Sequence, residues 1–520
     1  MSAVLEDLLR QDFGSIPELI HAHAELKPEQ LALAHESRKL TYAELDALMD
    51  RVAASLQRDG LGVGAAIAVA ATTSIEYAVL FLGAVRAGVA VAPLAPSSTT
   101  ESLAAMVADC QARILFLDAG VAASLGAAGP AIPRVALDGS NAGRAWHEWL
   151  APAGSRPRPV QIDPEGAFNI IYSSGTTGVP KGIVQPNKMR WAHVRRGGDT
   201  GYGPSSVTLV STPLYSNTTL VSFFPALTLG GGVVLMSKFD AGKFLALAQQ
   251  YRVTHAMLVP VQYQRIVDHP EFDRFDLSSF KMKYCTSAPF SAALKAQVLK
   301  RWPGGLVEFY GMTEGGGTCA LRCHDYPDKL HTVGKPVPGH DIRLIDDNGR
   351  EVAPGEAGEV VGRSPVAMMS GYHNQPQKTA DAIWVSPEGH TFIRTGDIGR
   401  FDADGFLVLF DRKKDMIISG GFNIYPSDLE AVLCQHPAVL DAAVVGVASK
   451  RWGETPVAFA VRKPDAGESA EQILDWVNER LGKTQRLSAL ELVSELPRSP
   501  IGKVLKRELR DRYAARSAGD

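Results

Sequence analysis

The chain has 520 residues, which is more than a single hydrophobic core usually organises, so at least two domains are expected. Hydrophobic residues make up 45% of it and charged residues 21%, as in ordinary globular proteins. Its 53 lysines and arginines nearly balance 56 aspartates and glutamates, and the net charge of -3 gives no reason to expect a nucleic acid or an anionic membrane as partner.

The N-terminus lacks the basic start and the apolar core of a signal peptide, and no segment reaches the ~20 apolar residues that a membrane span requires. The 5 cysteines are scattered, which favours a reducing compartment without disulfides. We therefore predict a cytoplasmic protein without a membrane span. Cys319, Cys323 and His324 lie close together, but a metal site needs a further ligand at a matching spacing, so buried thiols are the simpler interpretation.

Helix and strand patterns alternate up to about residue 340. Thr41 and Glu44 form a capping box that opens a helix, and Gly60 ends it. The apolar run 65–71 has the length of a strand, and a helix pattern and a second apolar strand follow it. Strands that are apolar on both faces and alternate with helices indicate parallel sheets covered by helices.

Short strands separated by turns replace this pattern after residue 340. Asp347-Asn-Gly349 and Asp404-Gly405 are typical hairpin turns, which predicts antiparallel sheet in a small barrel-like part. The roughly one hundred residues beyond Arg412 carry helix and strand patterns of their own, enough for a small α+β domain.

The segment YSSGTTGVPKG, residues 172–182, concentrates glycines, hydroxyl residues and a lysine between two strand-like runs. A surface linker has a similar composition, but here strands hold both ends. A Walker A loop is excluded by spacing, because Pro180 stands where that motif has a glycine and Gly182 follows Lys181 in place of a hydroxyl residue. Backbone N–H groups, hydroxyls and a lysine can still surround a polyphosphate.

Four segments resemble, in order, the adenylate-forming superfamily of acyl-CoA synthetases, peptide-synthetase adenylation domains and firefly-type luciferases. The segments are YSSGTTGVPKG (172–182), YGMTEGG (310–316), RTGDIGRFDADGFLVLFDRKKDMIISGGFNIYPSDLE (394–430) and SPIGKVLKREL (499–509). The resemblance covers essentially the whole chain. It implies an enzyme that activates a carboxylate with ATP, releases pyrophosphate, and then lets a thiol displace AMP from the acyl adenylate.

The resemblance implies a nucleotide site around the glycine-rich loop. Thr313 matches a hydroxyl that contacts the α-phosphate, and Glu314 matches the carboxylate that holds Mg²⁺, a metal that prefers hard oxygen ligands. Without the motif around it, this Thr-Glu pair would be an ordinary helix start. The further residues implied to bind ATP or AMP here are Ser173, Ser174, Gly175, Thr176, Thr177, Gly178, Lys181, Tyr310 and Gly311.

Three residues of the last two segments complete the implied active site. Asp397 matches the carboxylate that accepts the ribose hydroxyls, and Arg412 matches a second ribose or phosphate contact. Lys503 matches a lysine that reaches the α-phosphate and the carboxylate, although a lone lysine near a C-terminus is usually a solvated charge. The catalytic residues that the resemblance implies are Lys503, Thr313 and Glu314.

The resemblance also implies movement of the C-terminal part. Lys414 matches a hinge about which that part rotates between the two half-reactions, and Gly420 and Gly421 match the lining of the tunnel for the thiol arm of coenzyme A. The predicted fold class is therefore α/β. A large N-terminal adenylation domain, 1–413, has parallel-rich sheets covered by helices and a small β-barrel-like part, and a small mobile α+β domain, 414–520, follows it.

The pocket for the acid shows a departure from the family pattern. Many acyl and aryl members have a histidine where this chain has Ser216, and the segment 285–291 has fewer glycines than usual. No acidic residue is placed to hold an amino-acid ammonium group, which argues against a peptide-synthetase domain. The residues predicted to line the pocket are Tyr215, Ser216, Asn217, Phe223, Val259, Ser287 and Met312.

The first functional hypothesis is an AMP-forming acyl-CoA synthetase that uses ATP, Mg²⁺ and coenzyme A on a hydrophobic carboxylic acid, fatty or aromatic. The second is an acyl-AMP ligase that loads a carrier-protein thiol. A luciferase-like oxygenase has no supporting residue, and a regulator without catalysis would not need Glu314, Asp397 and Lys503 together. The expected partners are the acid, ATP and CoA, with no nucleic acid. A homodimer is left open.

Overall fold

The computed structural model of the protein describes residues 3–173, 181–419, 422–449, 451–483, 485–499 and 502–517. The chain forms two compact units. Unit 1 comprises Met1–Leu330, Pro336–Asp341 and Gly362–Ile393, and unit 2 comprises His331–Lys335, Ile342–Val361 and Arg394–Asp520. The predicted division at residue 413 concerns a hinge and stays a prediction.

The α-helices that the structure describes are α1 (Ala3–Arg10), α2 (Ile16–Leu26), α3 (Tyr42–Arg58), α4 (Ile75–Arg86), α5 (Thr100–Asp109), α6 (Ala119–Leu125), α7 (Trp146–Trp149), α8 (Asn187–Asp199), α9 (Asn217–Thr228), α10 (Ala241–Gln250), α11 (Pro260–Val267), α12 (Ala292–Arg301), α13 (Pro376–Asp381), α14 (Pro426–Leu433), α15 (Ala470–Asn478) and α16 (Lys506–Ser517). None of the described helices is long and apolar enough to cross a membrane.

The strands are β1 (Leu31–His35), β2 (Arg38–Thr41), β3 (Ala66–Ala70), β4 (Ala90–Pro93), β5 (Leu115–Leu117), β6 (Arg134–Ala136), β7 (Arg144–Ala145), β8 (Ala167–Ser173), β9 (Lys181–Pro186), β10 (Val207–Val210), β11 (Gly232–Leu235), β12 (His255–Leu258), β13 (Met282–Cys285), β14 (Gly305–Tyr310), β15 (Cys319–Arg322), β16 (Lys335–Pro336), β17 (Asp341–Ile345), β18 (Gly358–Arg363), β19 (Gly371–Tyr372), β20 (Ile383–Val385), β21 (Thr391–Phe401), β22 (Leu407–Arg412), β23 (Ile417–Ser419), β24 (Phe422–Ile424), β25 (Val439–Ser449), β26 (Gly453–Arg462) and β27 (Ala489–Val493).

Two large sheets dominate the fold. One has nine strands in the order β16-β15-β14-β13-β12-β10-β11-β1-β2, and the other has eight in the order β19-β9-β8-β4-β3-β5-β6-β7. Their inner strands pair in parallel. Antiparallel pairs stand towards both ends of the nine-stranded sheet and at the β19-β9-β8 end of the eight-stranded sheet. This arrangement confirms the predicted parallel-rich sheets, because strands apolar on both faces need helices on both sides.

The main hydrophobic core joins strands of both large sheets to helices α2, α3, α4 and α9. The predicted capping box is present at the start of α3, where the Thr41 N–H donates to Glu44 Oε2 at 2.7 Å and the Glu44 N–H donates to Thr41 Oγ1 at 3.3 Å. Helix α4 is buried along nearly its whole length and packs against α3. Local sequence signals and tertiary burial therefore agree in this part of the chain.

Antiparallel sheet follows, as the turn signals predicted. Strands β17, β18, β21 and β20 form one sheet in that order, with β22 paired to β21. The Asp346 N–H donates to Arg350 O at 2.8 Å and the Asp402 N–H donates to Phe406 O at 2.9 Å, which closes both predicted hairpin turns. The α+β part of unit 2 has the sheet order β24-β23-β26-β25, with β27 parallel to β26, and carries α14, α15 and α16.

The cysteines agree with the interpretation as buried thiols. Cys319 and Cys323 are buried and unbridged, and the His324 ring accepts the Leu306 N–H at 3.1 Å. Across the described ranges no group of three or more histidine, cysteine, aspartate or glutamate side chains could hold a metal ion.

Two helical glycines give a matched test of this packing. A Cβ on Gly83 of α4 would lie 2.6 Å from Cγ1 of Val52, whereas a Cβ on Gly198 of α8 would meet nothing within 4 Å. Gly83→Ala should lower the free energy of unfolding by about 1–3 kcal/mol through overpacking. Gly198→Ala should raise it by about 0.5–1 kcal/mol, because alanine favours helix. Denaturant unfolding measures both, and an unchanged Gly83→Ala protein would contradict the close packing of α3 on α4.

Candidate active site

The glycine-rich loop is held at both ends by one antiparallel strand pair. Ser173 at the end of β8 is paired with Lys181 at the start of β9, and Tyr172 is paired with Gly182. The predicted strands on either side of the loop are therefore confirmed. The loop itself, with the predicted ATP contacts Ser174, Gly175, Thr176, Thr177 and Gly178, lies outside the described residues, as does the Ser173 side chain.

Tyr372 joins two of the predicted site residues. Its hydroxyl donates a hydrogen bond to Glu314 Oε1 at 2.9 Å, and Nζ of Lys181 lies 4.9 Å from the centre of its ring. Strand β19 brings Tyr372 to this place by pairing with Ile183 and Val184 of β9. Burial and the Glu314 charge raise the pKa of Tyr372, so the phenol stays protonated and acts as a donor.

Two glycines allow the backbone after Glu314 to turn sharply. Gly315 and Gly316 have φ values of 77° and 92°, and a Cβ on Gly316 would lie 2.8 Å from Gly362 O. The Met369 N–H donates to Glu314 O at 2.8 Å, and the Gly316 N–H donates to Ala367 O at 2.9 Å. The Glu314 segment is thus fixed by backbone hydrogen bonds on both sides of the carboxylate.

The other predicted residues of this segment lie close by in the chain. Tyr310 ends β14 opposite Cys319 of β15, and Gly311 is exposed. Thr313 is half-buried, and Met312 packs against the small hydrophobic cluster that contains Tyr372. Their roles toward a nucleotide or an acid stay predictions.

A buried polar network was missed in the sequence. Arg190 of α8 is 1% exposed and donates through Nε to Asn169 Oδ1 at 3.0 Å and through Nη2 to Asn217 Oδ1 at 2.8 Å and to Gln185 Oε1. Gln185 Nε2 in turn donates to Thr313 O at 2.6 Å. Burial lowers the pKa of Arg190 to about 9. The available signal was the presence of Asn169 and Gln185 in strand runs that are otherwise apolar.

The predicted acid-pocket residues fall into two groups. Asn217 is in contact with the polar network, and Ser287 hydrogen-bonds Thr218, the neighbour of Asn217. Ser287 has a φ of 83°, a conformation that costs a residue with a side chain of order 1–3 kcal/mol. The second group has no described contact with the polar network. Ser216 is buried without capping α9, and Tyr215 is half-buried. Val259 is buried, and Phe223 is buried in the main core.

In unit 2, Asp397 and Arg412 form an ion pair. They are opposite each other in the β21–β22 ladder, with Nε of Arg412 2.8 Å from Oδ1 of Asp397. The Asp397 N–H donates to Thr395 Oγ1 at 3.0 Å. A carboxylate only accepts hydrogen bonds, which is the chemistry that the predicted contact to hydroxyl groups requires.

Lys414 lies in the turn that follows β22. It is exposed, while its neighbour Lys413 contacts Asp347 at 2.7 Å and Glu359 at 3.2 Å. Lys506 and Arg510 of α16 make ion pairs with residues of the same turn region. The predicted tunnel residues Gly420 and Gly421 lie outside the described residues.

Lys503 lies between Gly502 and the start of α16, outside the described helices. The Gly502 N–H donates to Ser499 O at 2.8 Å, the Ser499 N–H donates to Lys503 O at 2.8 Å, and Gly502 has a φ of 81°. Arg498 donates to Gly502 O at 2.6 Å and contacts Asp441 at 2.6 Å. The Lys503 side chain itself is exposed.

Comparison with known proteins gives a consistent result. Residues 20–373 match the family model of AMP-binding enzymes, and residues 428–503 match that of the AMP-binding enzyme C-terminal domain. The chain is 31% identical to indoleacetate–CoA ligase of Aromatoleum aromaticum, over 96% of this chain and 99% of the relative. It is 33% identical to feruloyl-CoA synthase of an Amycolatopsis species, over 97% and 99%.

A solved structure has the same overall fold. ATP-bound MatB from Rhodopseudomonas palustris superposes with a TM-score of 0.85 at 29% identity, covering 96% of this chain and 99% of that one. The match extends over both units of the chain.

Proposed function

The chain belongs to the AMP-binding enzyme family, and we propose that it is an AMP-forming carboxylate–CoA ligase acting on a hydrophobic acid. The observation that carries the proposal is full-length similarity to two CoA ligases, together with the placement of Glu314, Tyr372 and Lys181 in one cluster. Both of these relatives are named for aromatic acids, so aromatic acids come first among the substrates to test.

In the first half-reaction two anions meet, because the carboxylate of the acid attacks the α-phosphate of ATP. The chain must therefore orient both groups and neutralise charge as pyrophosphate leaves. We assign charge neutralisation to Lys181 beside the glycine-rich loop and to Lys503, and contact with the α-phosphate to Thr313. Asp397 accepts hydrogen bonds from the ribose hydroxyls, with Arg412 holding its carboxylate in place.

The residues present fit a magnesium ion bound chiefly through phosphate oxygens. Mg²⁺ commonly takes one or two protein carboxylates and completes its shell with phosphates and water. Glu314 supplies one carboxylate, whose Oε1 is held by Tyr372 while Oε2 keeps its acceptor capacity. When bound, the ion would offset negative charge on the phosphates. Tyr372 and the backbone hydrogen bonds around Glu314 orient the carboxylate.

In the second half-reaction a thiol attacks the carbonyl carbon of the acyl adenylate, and AMP leaves. We propose that Lys503 acts only in the first half-reaction and that rotation about Lys414 withdraws it. Gly420 and Gly421 then leave room for the narrow thiol arm. The alternative acceptor is a carrier-protein thiol, which has the same chemical end group.

The direct test is pyrophosphate release with ATP and Mg²⁺ across phenylalkanoic, cinnamic, benzoic, fatty and amino acids, each with and without CoA. Turnover that depends on CoA and yields a thioester with one acid class supports the proposal. Pyrophosphate release without a CoA thioester favours carrier-protein loading, and absence of pyrophosphate with every acid overturns the proposal.

Replacing Lys503 separates the two half-reactions. Lys503→Ala should slow adenylate formation by roughly 10²- to 10³-fold, the range for losing one group that stabilises transition-state charge. Thioester formation from supplied acyl adenylate should stay close to that of the wild type. Rapid-quench measurement of each half-reaction gives both rates, and equal losses in both would contradict the two-conformation mechanism.

Removing the Tyr372 hydroxyl tests how Glu314 is held. Tyr372→Phe should raise the Mg²⁺ concentration needed for half-maximal activity by about three- to tenfold, since one hydrogen bond contributes about 0.5–1.5 kcal/mol. The thermal stabilisation by Mg²⁺ and ATP together should fall in parallel. Tyr42→Phe is the control, because that hydroxyl donates to Leu227 O at 2.7 Å in the core. It should lower stability without changing the Mg²⁺ response, and an identical response of both variants would exclude a role for Tyr372.

A further inference from the structure

The buried guanidinium of Arg190 has only neutral partners among the residues described. Its donors go to carboxamide oxygens of Asn169, Gln185 and Asn217, and Nη1 has no partner in the described chain. Burying a charge without a counter-charge costs several kcal/mol of folding free energy. A group that lowers stability in this way suggests a role in the site. The orientation of the three carboxamides around Arg190 indicates that role.

The hydrogen-bonding direction of the network is unambiguous. An arginine only donates and a backbone carbonyl only accepts. Because Gln185 contacts Thr313 O, the group that faces Thr313 is its Nε2, and its Oε1 must face Arg190. Because Asn217 contacts Nη2 of Arg190 at 2.8 Å, the group that faces Arg190 is its Oδ1.

The contacts of Asn217 Oδ1 also orient the other end of its amide. Its Oδ1 accepts from Arg190 and, at 3.3 Å, from Nε2 of Gln185, so both acceptor sites are used. The Nδ2 group must then point away from Arg190. It makes no hydrogen bond to any other residue that the structure describes, and the residue is half-buried. Asn217 therefore presents two oriented N–H donors on the side opposite the buried charge.

These donors lie among residues already assigned to the meeting point of acid and nucleotide. Gln185 links Asn217 to the carbonyl of Thr313, and the next residue, Thr218, hydrogen-bonds Ser287. Ser216 before it does not cap α9. The ligand that suits two oriented donors beside a buried positive charge is a carboxylate, which only accepts hydrogen bonds.

We propose that Asn217 donates to the carboxylate of the acid substrate, and that Arg190 and Gln185 are positioning residues that orient and polarise its amide. This inference rests on the proposed function, because it assigns the acid's reacting group to a donor within that site. An amide can orient a carboxylate without protonating it, so the oxygen that attacks phosphorus keeps its charge. The hydrogen bonds from Arg190 strengthen the donor through cooperativity.

Asn217→Asp is the sharpest test. The substitution keeps the shape of the side chain and gives Arg190 a carboxylate, so the fold is retained and thermal stability should stay equal or rise. The donors are replaced by a negative oxygen that repels the substrate. KM for the acid should rise about 10- to 100-fold, the range for hydrogen bonds to a charged group, while KM for ATP changes less than about threefold.

Two further variants separate the loss of the Asn217 donors from the added charge and from a general loss of stability. Asn217→Ala removes the donors without adding charge and should raise KM for the acid less than Asn217→Asp does. Asn478→Asp is the matched control, because among the residues that the structure describes Asn478 bonds the backbone of Leu487 alone, at 3.0 and 2.8 Å, within unit 2. It should lower stability and leave both KM values unchanged.

The outcomes are distinguishable from those that test the proposed function. Wild-type protein that releases no pyrophosphate with any acid overturns the proposed function and this inference with it. An active wild type whose Asn217→Asp variant is folded and keeps its KM for the acid overturns only the inference, as does an equal rise in both KM values. A rise confined to the acid supports it.

Discussion

The antiparallel pairing of β8 with β9 is the interaction on which the candidate site depends. The ladder runs from Ala167 and Pro186 to Ser173 and Lys181, and so ties both ends of the glycine-rich loop to the large sheet. The same two strands carry Asn169 and Gln185 into the buried network, and β9 holds β19 with Tyr372. A single strand pair thereby positions Lys181, positions Tyr372 through β19, and carries Gln185, which contacts Asn217.

Few formally charged side chains are described in the site. Within the described part of unit 1, one carboxylate, Glu314, stands close to one lysine and a neutral phenol, and the buried Arg190 is surrounded by carboxamides. A reaction between two anions needs positive charge that is held ready before the substrates arrive. Carboxamides can orient such a charge without cancelling it, whereas a carboxylate in their place would neutralise it.

Features set by neighbouring residues could be predicted from the sequence. The capping box at Thr41 and the hairpin turns near Asp347 and Asp404 follow from local chemistry, and each is present. The parallel sheets follow from strand runs that are apolar on both faces. Glu314, Asp397 and Lys503 were singled out through motifs, and the structure adds the ion pair of Asp397 with Arg412.

The contacts that organise the site depend on residues far apart in the chain. Tyr372 and Glu314 are separated by 58 positions, and Gln185 and Thr313 by 128. No periodicity or spacing encodes such pairs, because sheet order and crossover connections decide which strands become neighbours. The sequence by itself determined the elements, the loop and the family. Only the tertiary structure decided which polar side chains meet, because a buried donor must find its acceptor wherever the packing of the sheets brings one.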